Sequence, residues 1–437
     1  MLRSRLFTAI LILMLATPMV SRASDTELTR DVAKDYDASL SDLFVHLHQN
    51  PELSNVESKT AARLARELEA VGFDVTTGVG GHGVVAVMEN GPGPVVMLRA
   101  DMDGLPVTER SGLSYASTAR QVDANGVEQS VMHACGHDVH VTGLIGAARQ
   151  LNARRDDWAG TLVLIGQPAE EIISGARQMI QDGLFERFPK PEYALAFHVS
   201  AQRTAGQIHI PEGIAYSSSD SVDIAVHGVG AHGASPHKGI DPVLVAAQIV
   251  VSLQSVVSRT ISPLDAGVIT VGSIHGGTKH NIIGERVDLQ LTVRSNSYAV
   301  REQLLNAIDR VAAGVAQSLG VPQDKFPEVV RSPTKTTGPT INHVPTAQRV
   351  DAAFRRHFGD ARMDTRARDG MGAEDFAYFV DPKHGVKGVY FSVGGTPADE
   401  VATAASHHSP LFKVSPAPSV KTGAEAMVVA TLALMAR

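Results

Sequence analysis

The chain of 437 residues is long enough for two or three domains, and 43% of its residues are hydrophobic. Charged residues make up 19%, a composition that excludes a disordered, collagenous or coiled-coil protein. The formal net charge of −7 argues against nucleic acid or an anionic membrane surface as a partner. The single cysteine, Cys135, cannot form an internal disulfide, so the core must be stable without covalent cross-links.

Residues 1–23 are typical of a secretory signal peptide. Arg3 and Arg5 precede an apolar stretch over residues 6–16, and a small-x-small cleavage pattern ends at Ala23. The apolar stretch is far shorter than the ~20 residues that span a bilayer. We therefore predict cleavage near Ala23 and a secreted or periplasmic protein without a membrane segment in its mature form. A retained signal anchor is the alternative.

Residues 24–216 have the pattern of an α/β domain. Helical spacing over residues 37–71 is followed by β-like runs at 83–88 and 95–98, and the Asn-Gly-Pro-Gly-Pro segment between those runs predicts a hairpin. Further on, residues 161–166 predict a strand, 175–182 a helix and 193–199 a strand. Such alternation predicts a mainly parallel sheet with helices on its faces.

Residues 217–332 predict a smaller inserted domain. Strand patterns at 220–227, 266–273 and 286–294 alternate with helical patterns at 242–261 and 300–319. This β-α-β-β-α order is typical of a ferredoxin-like α+β sandwich. Residues 333–345 have the Thr, Pro and Gly content of a linker, and residues 333–437 return to α/β character. The simplest organisation is one split α/β domain with an insertion.

The densest cluster of polar side chains is His-Ala-Cys-Gly-His-Asp-Val-His at residues 133–140. A thiolate and an imidazole suit zinc and other borderline first-row metals, so Cys135 and His137 predict a metal site. The alternative is a buried cysteine beside helix-capping residues. Three histidines and an aspartate within these eight residues favour the metal.

Other candidates follow predicted strands. Asp101 and Asp103 follow the run at 95–98, Glu170 and Glu171 follow the run at 161–166, and His198 closes the run at 193–199. In an open α/β sheet, ligands bind at the carboxyl edge where such residues meet. Of two adjacent acids, one can bind a metal while the other serves as general base. The alternatives are acids that complement a helix dipole and a histidine buried in the core.

Together these motifs resemble the dinuclear-metal aminoacylase and carboxypeptidase family, in the amidohydrolase branch that includes hippurate hydrolases and auxin–amino acid conjugate hydrolases. The matching segments are residues 99–106, 133–140, 167–171, 197–199, 372–376 and 408–410. The resemblance implies two divalent metal ions per chain. Zinc is favoured, and manganese, cobalt or nickel also suit these ligand types. The implied ligands are Cys135, His137, Glu171, His198 and His408, with Cys135 placed to bridge.

The resemblance also implies roles around the metals. Glu170 matches the general base that takes a proton from a metal-bridging water and passes it to the leaving amine. Other branches carry His-x-Asp where this chain has Asp101-Met102-Asp103, so His137 is expected to supply the missing imidazole. Asp103 is then a carboxylate that orients a ligand histidine, or alternatively a cap after the strand.

The choice of His408 as a ligand rests on its position before Ser409-Pro410, because His407 is its neighbour and has the same chemistry. His407 therefore remains the alternative ligand.

For the insertion, the resemblance implies a lid that closes over the substrate and, in some relatives, a homodimer interface. His232 is expected to donate a hydrogen bond to the oxyanion, and Asn281 to contact the scissile carbonyl or the substrate carboxylate. Arg294 is a candidate carboxylate clamp because guanidinium binds carboxylate bidentately. The alternatives are a solvated histidine in a glycine-rich turn and a surface ion pair.

The predicted function is an exported metal-dependent amidohydrolase that cleaves N-acyl amino acids, hippurate-like or N-acetylated, or short peptides. One alternative is a cysteine hydrolase with Cys135 as nucleophile, which would survive chelation of metal. The other is a non-catalytic protein that binds metal or peptide without turnover.

Overall fold

The computed structural model describes residues 20–123, 125–368 and 370–437. Residues 1–19, and with them most of the predicted signal peptide, lie outside the described residues. The described chain begins within a helix, Val20–Asp35, which contains the predicted cleavage position. Cleavage near Ala23 therefore stays a prediction.

Helices and strands alternate through most of the described chain. The helices are α1 (Val20–Asp35), α2 (Ser41–Gln49), α3 (Ser58–Val71), α4 (His137–Ala153), α5 (Gly175–Gln181), α6 (Leu184–Arg187), α7 (Pro242–Ser255), α8 (Tyr298–Ser318), α9 (Val344–Phe358) and α10 (Pro416–Met435). The strands are β1 (Asp74–Val79), β2 (Gly83–Asn90), β3 (Val95–Asp101), β4 (Arg120–Val122), β5 (Glu128–Ser130), β6 (Gly160–Gln167), β7 (Tyr193–Thr204), β8 (Ile208–His209), β9 (Ile214–Tyr216), β10 (Ser219–His227), β11 (Ala231–His232), β12 (Gly267–Gly276), β13 (Ile282–Ile283), β14 (Arg286–Ser295), β15 (Glu328–Thr337), β16 (Thr340–Ile341) and β17 (Lys387–Thr396).

The large sheet has the order β1-β2-β6-β3-β7-β17-β8. Its four central strands, β6, β3, β7 and β17, run parallel, as predicted. Successive residues of β6 face opposite sides of this sheet: Leu162 and Leu164 belong to the core that includes α4 and α10, while Val163 and Ile165 belong to the core on the other face. Burial on both faces explains why these strands read as continuous apolar runs.

The predicted hairpin between β2 and β3 is wrong, because β6 lies between the two strands. Val163 of β6 pairs with Val87 on one side and with Met97 on the other. The connection passes the start of β6, where a Cβ on Gly93 would lie 2.6 Å from the backbone oxygen of Ala159. Its two prolines have fixed φ and no N–H, so the segment does not form a tight two-residue turn.

The second sheet has the antiparallel order β12-β14-β10-β15, with α7 and α8 packed against it over a separate apolar core. The β-α-β-β-α elements lie close to their predicted positions. The fourth strand, β15, was not predicted, and the predicted boundary at residue 332 falls inside it. Val329 pairs with Ile224 in this edge strand, and Pro333 lies in a stretch where the pairing register shifts. An edge strand with an irregular register tolerates a proline, which gave the segment its linker-like composition.

One described helical segment, Pro242–Thr260, has the length and apolar composition of a membrane span. Of its apolar 18-residue stretch, 28% is buried. Helices of soluble proteins pass the same test. Its exposed apolar residues include Val243, Leu244 and Val251. The segment therefore presents an apolar face outside the core of the insertion.

Candidate metal centre and active site

The candidate ligands meet at the carboxyl edge of the parallel strands. Glu171 lies four residues after the end of β6, and His198 lies in β7. Cys135 lies two residues before α4, and His137 is the first residue of that helix. Gly136 makes this approach possible: its φ is +85°, and a Cβ there would lie 2.3 Å from Val199 Cγ1. Only glycine allows the start of α4 to contact β7 in this way.

Cys135 and His198 form one part of the cluster. Cys135 Sγ lies 3.4 Å from His198 Nε2. His198 Nδ1 is 2.6 Å from the backbone oxygen of Val199, to which it donates. With Nδ1 protonated, Nε2 carries the lone pair and faces the thiol, which is the tautomer a metal ligand requires.

Glu171 and His408 form another part. His408 Nε2 lies 3.3 Å from Glu171 Oε2, and His137 Nε2 lies 3.8 Å from Glu171 Oε1. Two residues here have positive φ, Ala169 at 50° and His408 at 67°. Left-handed non-glycine residues cost energy, so their occurrence beside the cluster indicates a geometry that the surrounding structure enforces.

The donor chemistry fits two cations. Cys135, His137 and His198 offer ligand atoms that lie within 4.8 Å of one another, and so do Cys135, Glu171 and His408. Cys135 is common to both groups. His137 Nε2 and Glu171 Oε1 are also buried without a hydrogen-bond partner. Orphaned buried donors and acceptors are costly, and a cation at these two groups would satisfy both atoms.

The electrostatics favour positive charge at the same place. Burial alone would lower the pKa of His137, but the carboxylates of Asp101, Asp103 and Glu171 raise it to about 10. Burial, and then the charge of Glu171, raises the pKa of the Cys135 thiol well above its usual value. A free thiol in this environment is a poor nucleophile, whereas a bound cation would stabilise the thiolate.

Asp103 lies behind His137. Its Oδ1 is 3.3 Å from His137 Nδ1, and its Oδ2 accepts hydrogen bonds from Ser54 Oγ at 2.6 Å and from the Glu171 backbone N–H at 3.0 Å. This carboxylate therefore contacts one candidate ligand and the backbone of another. An orienting carboxylate makes contacts of this kind, and the orienting role of Asp103 stays a prediction.

Glu170 points into the same region from a buried position. It is 7% exposed, and its Oε2 lies 4.0 Å from His137 Nε2. Burial, followed by the charges of Glu374 and Glu171, raises the pKa of Glu170 well above its ordinary value. A carboxylate with a raised pKa can accept a proton and hold it until it is delivered, as a general base requires.

His407 and His408 have different surroundings. His407 Nδ1 lies 3.6 Å from Cys135 Sγ, and its Nε2 accepts a hydrogen bond from the Ala201 backbone N–H at 3.3 Å. His408 instead belongs to a group of candidate metal ligands. His408, the predicted ligand, therefore lies beside Glu171, and His407 lies against Cys135.

A buried charge network beneath the site was not predicted. Arg99 donates to Asp101 Oδ2 at 2.6 Å and to Glu374 Oε1 at 2.8 Å, and the Tyr390 hydroxyl donates to Glu374 Oε2 at 2.6 Å. Residues 372–376 were noted only as a matching segment, and no local pattern indicates that Glu374 meets Arg99. His140 is likewise a supporting residue, because its two nitrogens contact Asp101 Oδ1 and the Val199 backbone N–H.

The cluster opens into a cavity of about 880 Å³, which Arg294 also lines. His232 and Asn281 are not among its lining residues. They lie together in the insertion, where the Gly233 backbone N–H donates to the Asn281 backbone oxygen at 2.9 Å and His232 is exposed. The structure thus brings Arg294 to the site and leaves His232 and Asn281 outside it.

Comparison with known proteins finds a family match that covers most of the chain. Residues 97–432 match the model of peptidase family M20/M25/M40. A hippurate hydrolase of Campylobacter jejuni is 34% identical over 338 residues, which cover 77% of this chain and 84% of that protein. An IAA-amino acid hydrolase of Arabidopsis thaliana is 33% identical over 371 residues, covering 84% and 79%. A solved dinuclear metal-binding peptidase from Bacillus subtilis aligns with a TM-score of 0.74 at 27% identity, over 91% of this chain and 98% of that one.

Proposed function

The chain belongs to peptidase family M20/M25/M40 and is a metal-dependent amidohydrolase, and we propose that it cleaves N-acyl amino acids, hippurate-like or N-acetylated, or short peptides. The observation that carries this proposal is a buried Glu170 with a raised pKa in a cavity that four candidate metal ligands also line. The fifth candidate, His137, lies 4.0 Å from Glu170 Oε2. The names of the hippurate hydrolase and of the plant conjugate hydrolase support the substrate class.

The residues that would hold two divalent ions are Cys135, His137, Glu171, His198 and His408. Bound there, the ions would supply Lewis acidity to the substrate carbonyl and make water more acidic. Glu170 accepts a proton from the attacking water and delivers it to the nitrogen of the leaving amine as the C–N bond breaks. Asp103 keeps His137 and the backbone of Glu171 in position, and Arg294 binds the substrate carboxylate.

His232 and Asn281 complete the site only after the insertion moves or when a second copy supplies them. We favour a homodimer through the insertion because two unpartnered features lie there. The apolar face of α7 exposes Val243, Leu244 and Val251, and β12 is an edge strand. Analytical ultracentrifugation should find a dimer, and Val251→Glu should weaken it.

We further propose that the protein acts outside the cytoplasm, on the basis of the signal-like residues 1–23. Expression of the full chain followed by cell fractionation should place the protein in the periplasm or medium. Sequencing its N-terminus should find a mature chain that begins at or near Ser24.

The direct test of the activity is a substrate panel of hippurate, N-acetyl amino acids and dipeptides, with amine release as the readout. Elemental analysis should find two metal ions per chain, and EDTA should abolish turnover reversibly. Activity that survives complete metal removal would support the Cys135 nucleophile instead. Two bound ions without turnover of any panel member would support a binding protein.

A further inference from the structure

The cavity has a strongly basic side. Among its lining residues are four arginines from three separate segments: Arg203 in β7, Arg294 in β14, and Arg366 and Arg368 between α9 and β17. We call these four residues the basic wall. One guanidinium is enough to bind one substrate carboxylate bidentately. Four guanidiniums therefore carry more positive charge than one substrate carboxylate balances.

Two members of the basic wall share one acid. Arg203 Nη1 and Arg366 Nη2 each lie 2.6 Å from Asp364 Oδ2. A single carboxylate therefore balances one of these two charges.

The other two members have no carboxylate partner among the described residues. Arg368 donates only to neutral oxygens, to the Ala215 backbone at 3.2 Å and to Asn296 Oδ1 at 2.8 Å. Arg294 makes no ion pair or side-chain hydrogen bond to a described residue. Asp220, the acid whose charge acts on Arg294, is already bound bidentately by Arg301 at 2.7 and 2.8 Å.

Partial burial makes this unbalanced charge costly. Burial lowers the pKa of both Arg294 and Arg368, although a guanidinium stays protonated at any physiological pH. A half-buried cation that lacks an anion gains the most from an anionic ligand. Both guanidiniums line the same cavity, and Asn296, the hydrogen-bond partner of Arg368, is two residues beyond Arg294 in the sequence.

We propose that the preferred substrates are N-acyl amino acids with an acidic side chain, N-acyl aspartate or glutamate, in which Arg294 and Arg368 bind the two carboxylates. This inference rests on the proposed amidohydrolase function and narrows its substrate class. Arg368, on the α/β domain, is then a specificity-determining residue, and Arg294, on the insertion, lines the same cavity.

The kinetic test compares N-acetyl-L-glutamate with N-acetyl-L-glutamine, which have the same shape and differ in one charge. The metal-loaded protein should prefer the glutamate derivative by about 10-fold or more in kcat/KM, mainly through KM, as expected for a charge-assisted hydrogen bond. Arg368→Gln should bring the ratio close to one, chiefly by raising KM for the glutamate derivative. Arg310→Gln, which removes an exposed charge from α8, should keep the preference.

A binding measurement separates this inference from the proposed function. Calorimetric titration of the metal-loaded Glu170→Gln protein with the same two compounds should show tighter binding of the glutamate derivative, and Arg368→Gln in that background should abolish the difference. Equal binding of both compounds, or cleavage of neutral N-acyl amino acids alone, would overturn the inference while the amidohydrolase function stands. Arg368-dependent binding of the acid by a protein that cleaves no amide would overturn the function and, with it, the substrate preference, although Arg368 would still bind the acid.

Discussion

The carboxyl edge of the large sheet and the insertion both carry predicted functional residues, but these residues differ in burial and in their position relative to the cavity. At the sheet edge, Glu170, Cys135 and His137 are buried, and neighbouring residues fix their positions. In the insertion, His232 and Asn281 lie outside the cavity, and His232 is exposed. Buried groups on packed strands are positioned by one chain in one conformation. His232, in β11, and Asn281, next to β13, would reach the cavity only through a movement or from a second copy.

The largest effect is expected at the sheet edge from Glu170→Gln. Loss of the general base should lower kcat by about 10²–10⁴-fold, because a glutamine cannot accept the proton. Elemental analysis should find the metal content unchanged, since Glu170 is not one of the predicted ligands. A variant that keeps both metals and most of its activity would show that another group transfers the proton.

Arg99→Met tests the buried network that supports this edge. It leaves Asp101 and Glu374 without their shared cation in a buried site, which should cost about 3–5 kcal/mol of unfolding free energy. Chemical denaturation of the metal-free protein measures this cost. Arg286→Met, which removes an exposed guanidinium paired with Asp288, is the matched control and should leave the unfolding free energy nearly unchanged.

His232→Ala tests the insertion side of the comparison. If His232 stabilises the oxyanion, kcat should fall by about 10²–10³-fold. Mixing this variant with Glu170→Gln then shows which copy supplies the group. Recovery of activity in the mixture indicates a histidine from a second copy, and no recovery indicates a lid that closes within one chain.

A smaller, pH-dependent effect is expected from His48, which supports the start of α4. Burial alone would lower the pKa of His48, but Asp138 at 2.7 Å and Glu109 at 3.2 Å raise it to about 10. Because the folded pKa exceeds the unfolded value of 6.5, this stabilisation is complete below pH 6.5 and is lost as pH rises through 10. Denaturation midpoints at pH 6 and pH 10 should differ less in His48→Gln than in the unsubstituted protein.

The sequence predicted those parts of the molecule in which the information is local. Short motifs placed Cys135 near the start of α4 and Glu171 after β6, and apolar runs predicted the parallel strands. The prediction that His198 closes its strand is wrong, because β7 continues to Thr204. Strand order is not local, so the hairpin prediction missed the insertion of β6 between β2 and β3. The pairing of Arg99 with Glu374 joins residues 275 positions apart, and no spacing rule connects them.

Segments from both sides of the insertion complete the sheet and the site. β17 pairs with β7, and His408 lies beside Glu171, although the whole second sheet intervenes in the sequence. During synthesis from the N-terminus, β7 therefore lacks its neighbour β17 until almost the entire chain has been made. The five candidate ligands are therefore all present only when nearly the whole chain has been made, and a truncation before residue 408 would remove one of them.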